Sequence, residues 1–216
     1  KIEELETPLN NFKEKVEAYL FGNNKASEIN PVFLPKEFIP LTSKSGLPYR
    51  YLRQREVSDL EIKKYKIGYC SEGDYKERII IPIYKAERLK YFVGRTYTNK
   101  EPKYMNSNAP KDEVIFKTFD NRVDKAIVCE GIFDALRIGK VFPAISILGK
   151  VLNGSKQILE IVKSTKEAYM ILDKDAEKDG FKAAMILNYY IPTKVMFIKE
   201  KDPGEMSLKQ IEELLP

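Results

Sequence analysis

Apolar and polar residues along this chain follow two patterns that meet near residue 125. Beyond it, short apolar runs alternate four times with amphipathic stretches. AIVCEG precedes IFDALRIGK, AISILG precedes SKQILEIVKS, AYMILD precedes KDGFKAAMILNYY, and KVMFIK precedes SLKQIEELL. Such alternation predicts a parallel sheet with helices on its faces and ligands outside the carboxyl ends of its strands. From residue 67, IGYC, RIIIPIYK and LKYFVGRTYT are β-branched and aromatic runs divided by polar turns, the pattern of antiparallel strands. A loop, NKEPKYMNSNAPKDE, then leads to VIFKTF.

Upstream, PYRYLRQRE and SDLEIKKYK predict a helical pair, with Ser58 or Asp59 as cap of the second. Residues 9–20 place Leu9, Phe12, Val16, Tyr19 and Leu20 on one helical face. The Gly-, Asn-, Ser- and Pro-rich stretch that follows reads as an extended connector. The chain therefore divides into an N-terminal helix and connector over 1–47, an α+β subdomain with antiparallel strands over 48–124, and a helix-flanked parallel sheet over 125–216. The fold class is mixed α/β.

Composition narrows the chemistry. The 216 residues are 43% hydrophobic, enough for a real core, and a net charge of +5 favours polyanionic partners. There is no histidine and there are two cysteines, Cys70 and Cys129, far apart in sequence. That set builds no Cys/His zinc site, no Ser-His-Asp or Cys-His nucleophile and no disulfide scaffold. A reducing cytoplasm is the expected location. No apolar run is long enough to span a membrane, and none reads as a signal leader. Catalysis, if present, runs on carboxylates, lysines, arginines and metal ions. A start at Lys1 rather than methionine reads as a fragment of a longer chain.

Three of the four strand units carry acids at or just beyond their carboxyl ends. The first gives Glu130, with Asp134 one helical turn later. The third gives Asp173 and Asp175, whose spacing of two on an extended segment points both carboxylates the same way. The fourth gives Asp202, with Glu205 close behind. Any one of them is open to a plainer reading: Glu130 as a helix-start cap, Asp134 as an exposed helix residue. Taken together, carboxylates that meet at one sheet edge repel unless a cation lies between them. Oxygen ligands select Mg²⁺, with Mn²⁺ as a substitute, and paired ions of this kind suit phosphoryl transfer.

Glu130-Gly131 followed by Asp134, then Asp173-Lys174-Asp175, then Lys201-Asp202-Pro203 resembles the TOPRIM domain of DnaG-type primases, topoisomerases and some nucleases. RIIIPIY, VGRTYT, EPKYMNS and IFKTF, in that order, resemble the basic subdomain that precedes TOPRIM in bacterial and bacteriophage DNA primases. YLRQREVSDLEIKKYKIGY is similar to their helical lead-in. The resemblance implies metal binding by Glu130, Asp134, Asp173, Asp175 and Asp202, with Glu130 assisting deprotonation of an attacking 3′-hydroxyl. It also implies nucleotide or template contacts by Arg78, Arg95, Lys103, Asn106, Ser107 and Lys117, and it matches Gly149 to a loop glycine near the acids. Its implied function is synthesis of short RNA primers on single-stranded DNA from ribonucleoside triphosphates. A replicative helicase is the implied partner, and a zinc-binding module is expected outside this fragment.

The chain departs from the common family pattern at three places. Asp202-Pro203-Gly204-Glu205 stands for Asp-Pro-Asp, Lys174 for a glycine, and Lys150 for a small polar residue. These departures and the short TOPRIM segment look more like a phage primase than a bacterial one. Basic residues outnumber acids over 76–117; Lys76, Lys85, Lys90 and Lys111 read as solvated surface charges, while Tyr97 and Tyr104 are possible base platforms or strand packing. Two rival functions use the same residues: a TOPRIM nuclease or topoisomerase fragment, and a non-catalytic DNA-binding module.

Overall fold

A computed structural model of the chain describes residues 31–149, 152, 155–171, 177–198 and 203–215. They form two compact units, residues 31–111 and residues 112–215. The helix expected over 9–20 lies outside the described residues.

The first unit is an antiparallel sheet in the order β1 (Phe38–Pro40), β2 (Gly68–Cys70), β3 (Arg78–Lys85), β4 (Arg88–Thr96). The expected helical pair forms α1 (Gly46–Gln54) and α2 (Asp59–Lys64). Ser58 caps α2: its hydroxyl accepts from Glu61 N at 3.2 Å, and the Glu61 carboxylate accepts from Ser58 N at 2.7 Å. Ile79, Ile80 and Ile81 are all fully buried, so both faces of β3 are covered. Cys70 is fully buried as well, and burial pushes its thiol up to about 11.

The segment after β4 is tied to that strand. Thr96 N donates to Lys103 O, Met105 N to Gly94 O and Ser107 N to Phe92 O, at 3.1, 2.8 and 3.1 Å. KYMNS thus runs antiparallel beside β4, where the sequence pattern predicts only a loop. Gly94 permits the approach, since a Cβ there would lie 2.1 Å from Met105 O.

The second unit holds a five-stranded sheet in the order β5 (Phe116–Lys117), β7 (Ala144–Ser146), β6 (Val123–Cys129), β8 (Thr165–Ile171), β9 (Thr193–Met196). The last four are mutually parallel, as the strand–helix alternation predicts, and β5 pairs antiparallel at the edge. Between and after them lie α3 (Ile132–Ile138), α4 (Ser155–Ser164), α5 (Glu177–Asn188) and α6 (Leu208–Leu214). Ser207 caps α6 by accepting from Gln210 N at 3.2 Å.

Handedness assigns the helices to faces. The β6–α3–β7 crossover moves one way along the sheet, while β7–α4–β8 and β8–α5–β9 move the other. Right-handed crossovers therefore put α3 on one face and α4 with α5 on the opposite face. Packing agrees. Ile158 and Ile161 of α4 and Ala183, Ala184 and Leu187 of α5 share one cluster with Ala126 and Val128 of β6 and Ala168 and Met170 of β8. Ile127 and Cys129, the alternate residues of β6, point to the other face.

Two outcomes are expected here. Gly94→Ala forces Met105 O away from β4 and lowers stability by about 1–3 kcal/mol in urea denaturation; an unchanged midpoint would contradict the close approach. At pH 8 the Cys70 thiol stays protonated as well as buried, so a thiol reagent modifies it only on unfolding, read as delayed release of the chromophore.

Candidate active site

Strand order creates the site. Connections leave β6 toward β7 and leave β8 toward β9, in opposite directions, so a crevice opens between the carboxyl ends of β6 and β8. Val128 of β6 is level with Met170 of β8, and Glu130 is the first residue beyond β6. Its residue is 7% exposed, a burial that a carboxylate tolerates only beside positive charge or hydrogen-bond donors.

Its backbone is fixed from the neighbouring strand. Glu130 O accepts from Ser146 Oγ at 2.8 Å and from Gly149 N at 3.1 Å, and Ser146 Oγ in turn accepts from Leu148 N at 3.1 Å. Ile147 N donates to Cys129 O at 3.0 Å. The loop after β7 is therefore laced to the end of β6, with Leu148 at φ 60 and Gly149 at φ 157. A leucine in the left-handed region costs free energy and persists only where its surroundings dictate it.

Glu130 and Asp134 have different jobs. Asp134 Oδ2 accepts from Gly131 N at 3.1 Å, so Asp134 caps α3 and Glu130 does not. A Cβ on Gly131 would meet that oxygen at 2.3 Å, which keeps the position small. On the same helix, Arg137 donates through Nε at 3.0 Å and Nη2 at 2.8 Å to Met206 O. Met206 is 2% exposed, and the clamp fastens the turn Pro203–Glu205, which follows Asp202 directly in the chain, to α3. Asp173, Asp175 and Asp202 themselves lie outside the described residues, as do Lys150, Lys174 and the side chain of Glu205. Among the described residues no three acids, cysteines or histidines gather as a metal site.

The basic residues divide between the units. Arg95, on β4, donates through Nε to Tyr51 Oη at 2.8 Å and lies with its guanidinium 4.6 Å from the centre of the Tyr104 ring. Arg55, the residue that closes α1, donates through Nε to the same Tyr51 oxygen at 2.9 Å. Lys103 is exposed beside them in sequence, one residue before Tyr104. Lys117 lies in the other unit, on β5, with Nζ 5.5 Å from the Phe119 ring centre.

Three of the expected contacts are also bonded within the unit. Arg78 is 1% exposed, with Nη1 on Lys76 O at 3.1 Å and Nη2 on Pro102 O at 2.9 Å. These bonds clamp it inside the unit, while its Nε is buried without a hydrogen-bond partner among the described residues. Asn106 Oδ1 accepts from Gly94 N at 3.2 Å and Ser107 Oγ from Phe92 N at 3.4 Å, so both complete the pairing along β4. Tyr51 and Arg55 were not among the residues singled out by sequence. Their spacing of four on a helix was visible, but Arg95 lies 44 positions further on.

Ser146→Ala removes the clamp on Glu130 O and leaves the Leu148 amide without its acceptor. It is expected to cost roughly 1–3 kcal/mol in urea denaturation; an unchanged midpoint would show that the loop holds without it.

No family model matches the chain. It is 33% identical over 122 residues to the DNA primase of Synechococcus elongatus, covering 51% of this chain and 17% of that protein's length. Among solved structures it is similar to the Aquifex aeolicus primase (zinc-binding and RNA polymerase domains), with a TM-score of 0.69 and 21% identity over 79% of this chain and 55% of the other. It is also similar to the DnaG primase catalytic domain bound to single-stranded DNA, with a TM-score of 0.66 and 16% identity over 99% of this chain and 83% of the other. The chain thus has the fold of the DnaG-type primase catalytic core and is related in sequence to the bacterial DNA primases.

Proposed function

We propose that this chain is the catalytic core of a DNA primase, a nucleotidyltransferase that joins ribonucleotides into short RNA primers on a single-stranded DNA template. The observation that carries the reading is the buried Glu130 at the carboxyl end of β6, in the crevice beside β8. Two residues of chain reach at most ~7 Å, so Asp173, the second residue past Ile171, starts from the strand next to Glu130. The second unit is read as a TOPRIM domain on this basis.

Mg²⁺ fits the chemistry of this donor set, since Glu130 and Asp134 offer only oxygen and the sequence adds Asp173, Asp175 and Asp202. Those five residues would hold it, with Mn²⁺ able to substitute. When bound, the metal supplies positive charge against which the reacting phosphate and hydroxyl oxygens are stabilised. Glu130 assists removal of the proton from the attacking 3′-hydroxyl. Arg78, Arg95, Lys103, Asn106, Ser107 and Lys117 are the residues proposed to meet triphosphate and template, arginine by its fork and lysine as a point charge.

Single-stranded DNA is the proposed template, as in the similar ssDNA-bound DnaG domain. The further partners proposed are ribonucleoside triphosphates, the RNA primer, a replicative helicase and a zinc-binding module outside this stretch. The departures at Lys150, Lys174 and Gly204-Glu205 favour a bacteriophage origin. No described helix is long and apolar enough to cross a membrane; a role in replication places the protein in the cytoplasm.

Incubation with single-stranded DNA, a preformed RNA primer, Mg²⁺ and labelled ribonucleotides is expected to extend the primer. Glu130→Gln and Asp173→Asn are each expected to lower turnover by at least about a hundredfold while single-stranded DNA binding persists. Shortened DNA would indicate a nuclease. Turnover that survives both substitutions would overturn the metal-site assignment.

A further inference from the structure

One backbone carbonyl joins two of the acid-bearing segments. Met206 O accepts from Arg137 Nε at 3.0 Å and from Arg137 Nη2 at 2.8 Å, so one edge of the guanidinium meets a single oxygen. Two donors in a rigid fork fix the direction of the carbonyl as well as its distance, which one donor does not. Met206 N donates to Pro203 O at 3.2 Å, which commits both backbone groups of Met206. Pro203 is buried, and Met206 is 2% exposed. On the far side of the turn, the Ser207 cap starts α6, which seats Ile211 at full burial.

The helix that supplies the clamp also carries an acid. Asp134 lies three residues before Arg137, one turn along the same side of α3, and its Oδ2 accepts from Gly131 N at 3.1 Å. Glu130 directly precedes Gly131, and Asp202 is bonded to Pro203 in the chain. The acid of the last strand unit is therefore attached to a turn that is tied to the helix of the first. A plainer role for Arg137 is a positive charge in the last turn of α3, which suits the negative end of the helix. That role needs the charge; it does not need two donors on one carbonyl.

We infer that Arg137 is a positioning residue for the metal set. Acting through Met206 O, it fixes where Asp202 leaves the chain relative to Glu130 and Asp134. This role rests on the metal reading proposed above and adds the residue that holds one of its donors in place. A hard divalent cation rewards oxygens that are already placed, so a loosened turn lowers affinity for the ion.

Mn²⁺ alone, without nucleotide, is titrated into the 216-residue chain, and the free ion is counted by its electron paramagnetic resonance signal. Arg137→Met keeps the stem and removes both donors; Arg137→Lys keeps the charge and offers one amine. Each is expected to bind Mn²⁺ about tenfold more weakly, with a metal-free melting temperature within a few degrees of the parent's. Asp202→Asn is expected to lose a similar factor. Adding Arg137→Lys to Asp202→Asn is expected to change little, because residue 202 then has no charge to place. Should Arg137→Met fail to fold, Arg137→Lys carries the same comparison.

Binding by Arg137→Lys equal to the parent's would overturn the inference and leave the metal reading standing, since the charge at the end of α3 would then suffice. Additive losses in the double variant would also overturn it, because Arg137 would act by a route other than Asp202. A parent chain that binds no Mn²⁺ would overturn the metal reading and the inference together.

Discussion

The parallel pairing of β6 with β7 on one side and β8 on the other is the constraint on which the acidic half depends. β6 enters as Val123 at a half-buried edge and ends with Ala126, Ile127, Val128 and Cys129 all within 2% of full burial. Flanked by strands on both edges and helices on both faces, it has one way to offer a polar group to a ligand, namely at its carboxyl end. Glu130 is that group. Because the chain departs from β6 and β8 in opposite directions, the switch point of the sheet falls between the carboxyl ends of these two strands. Ser146, from β7, then holds the exit of β6 in place through the carbonyl of Glu130.

In the other unit the governing contact is a close backbone approach. Gly94 allows residues 103–107 to run beside β4, and that run puts Tyr104 across from Arg95 as an isolated bridge pair. Arg95 is then held between an aromatic face and a phenol oxygen. Asn106 and Ser107, polar residues that read as ligands, serve this arrangement by completing hydrogen bonds at the strand edge.

Much of this was legible along the chain. The change from period-two runs to strand–helix alternation, the Ser58 cap and the place of Glu130 just beyond a strand are local signals, and local signals survive folding. What escaped was set by distant partners. Arg78 beside an apolar run reads as a charge that needs partners, and one of them, Pro102 O, lies 24 positions on. Tyr51 and Arg55 carry no mark in a helical stretch until β4 brings Arg95 to the same oxygen. The plain reading of the sequence made Glu130 the helix cap and Asp134 an exposed helix residue; in α3 the cap is Asp134. Asp173, Asp175 and Asp202 lie outside the described residues, so their part in the proposed site comes from the sequence.

Anomalous scattering from Mn²⁺ in crystals grown with a ribonucleoside triphosphate tests the central claim most directly. The account predicts a manganese peak about 2 Å from a carboxylate oxygen of Glu130, shared with Asp173 or Asp175. Manganese bound only elsewhere, with the Glu130 carboxylate turned from the β6–β8 crevice, would contradict it.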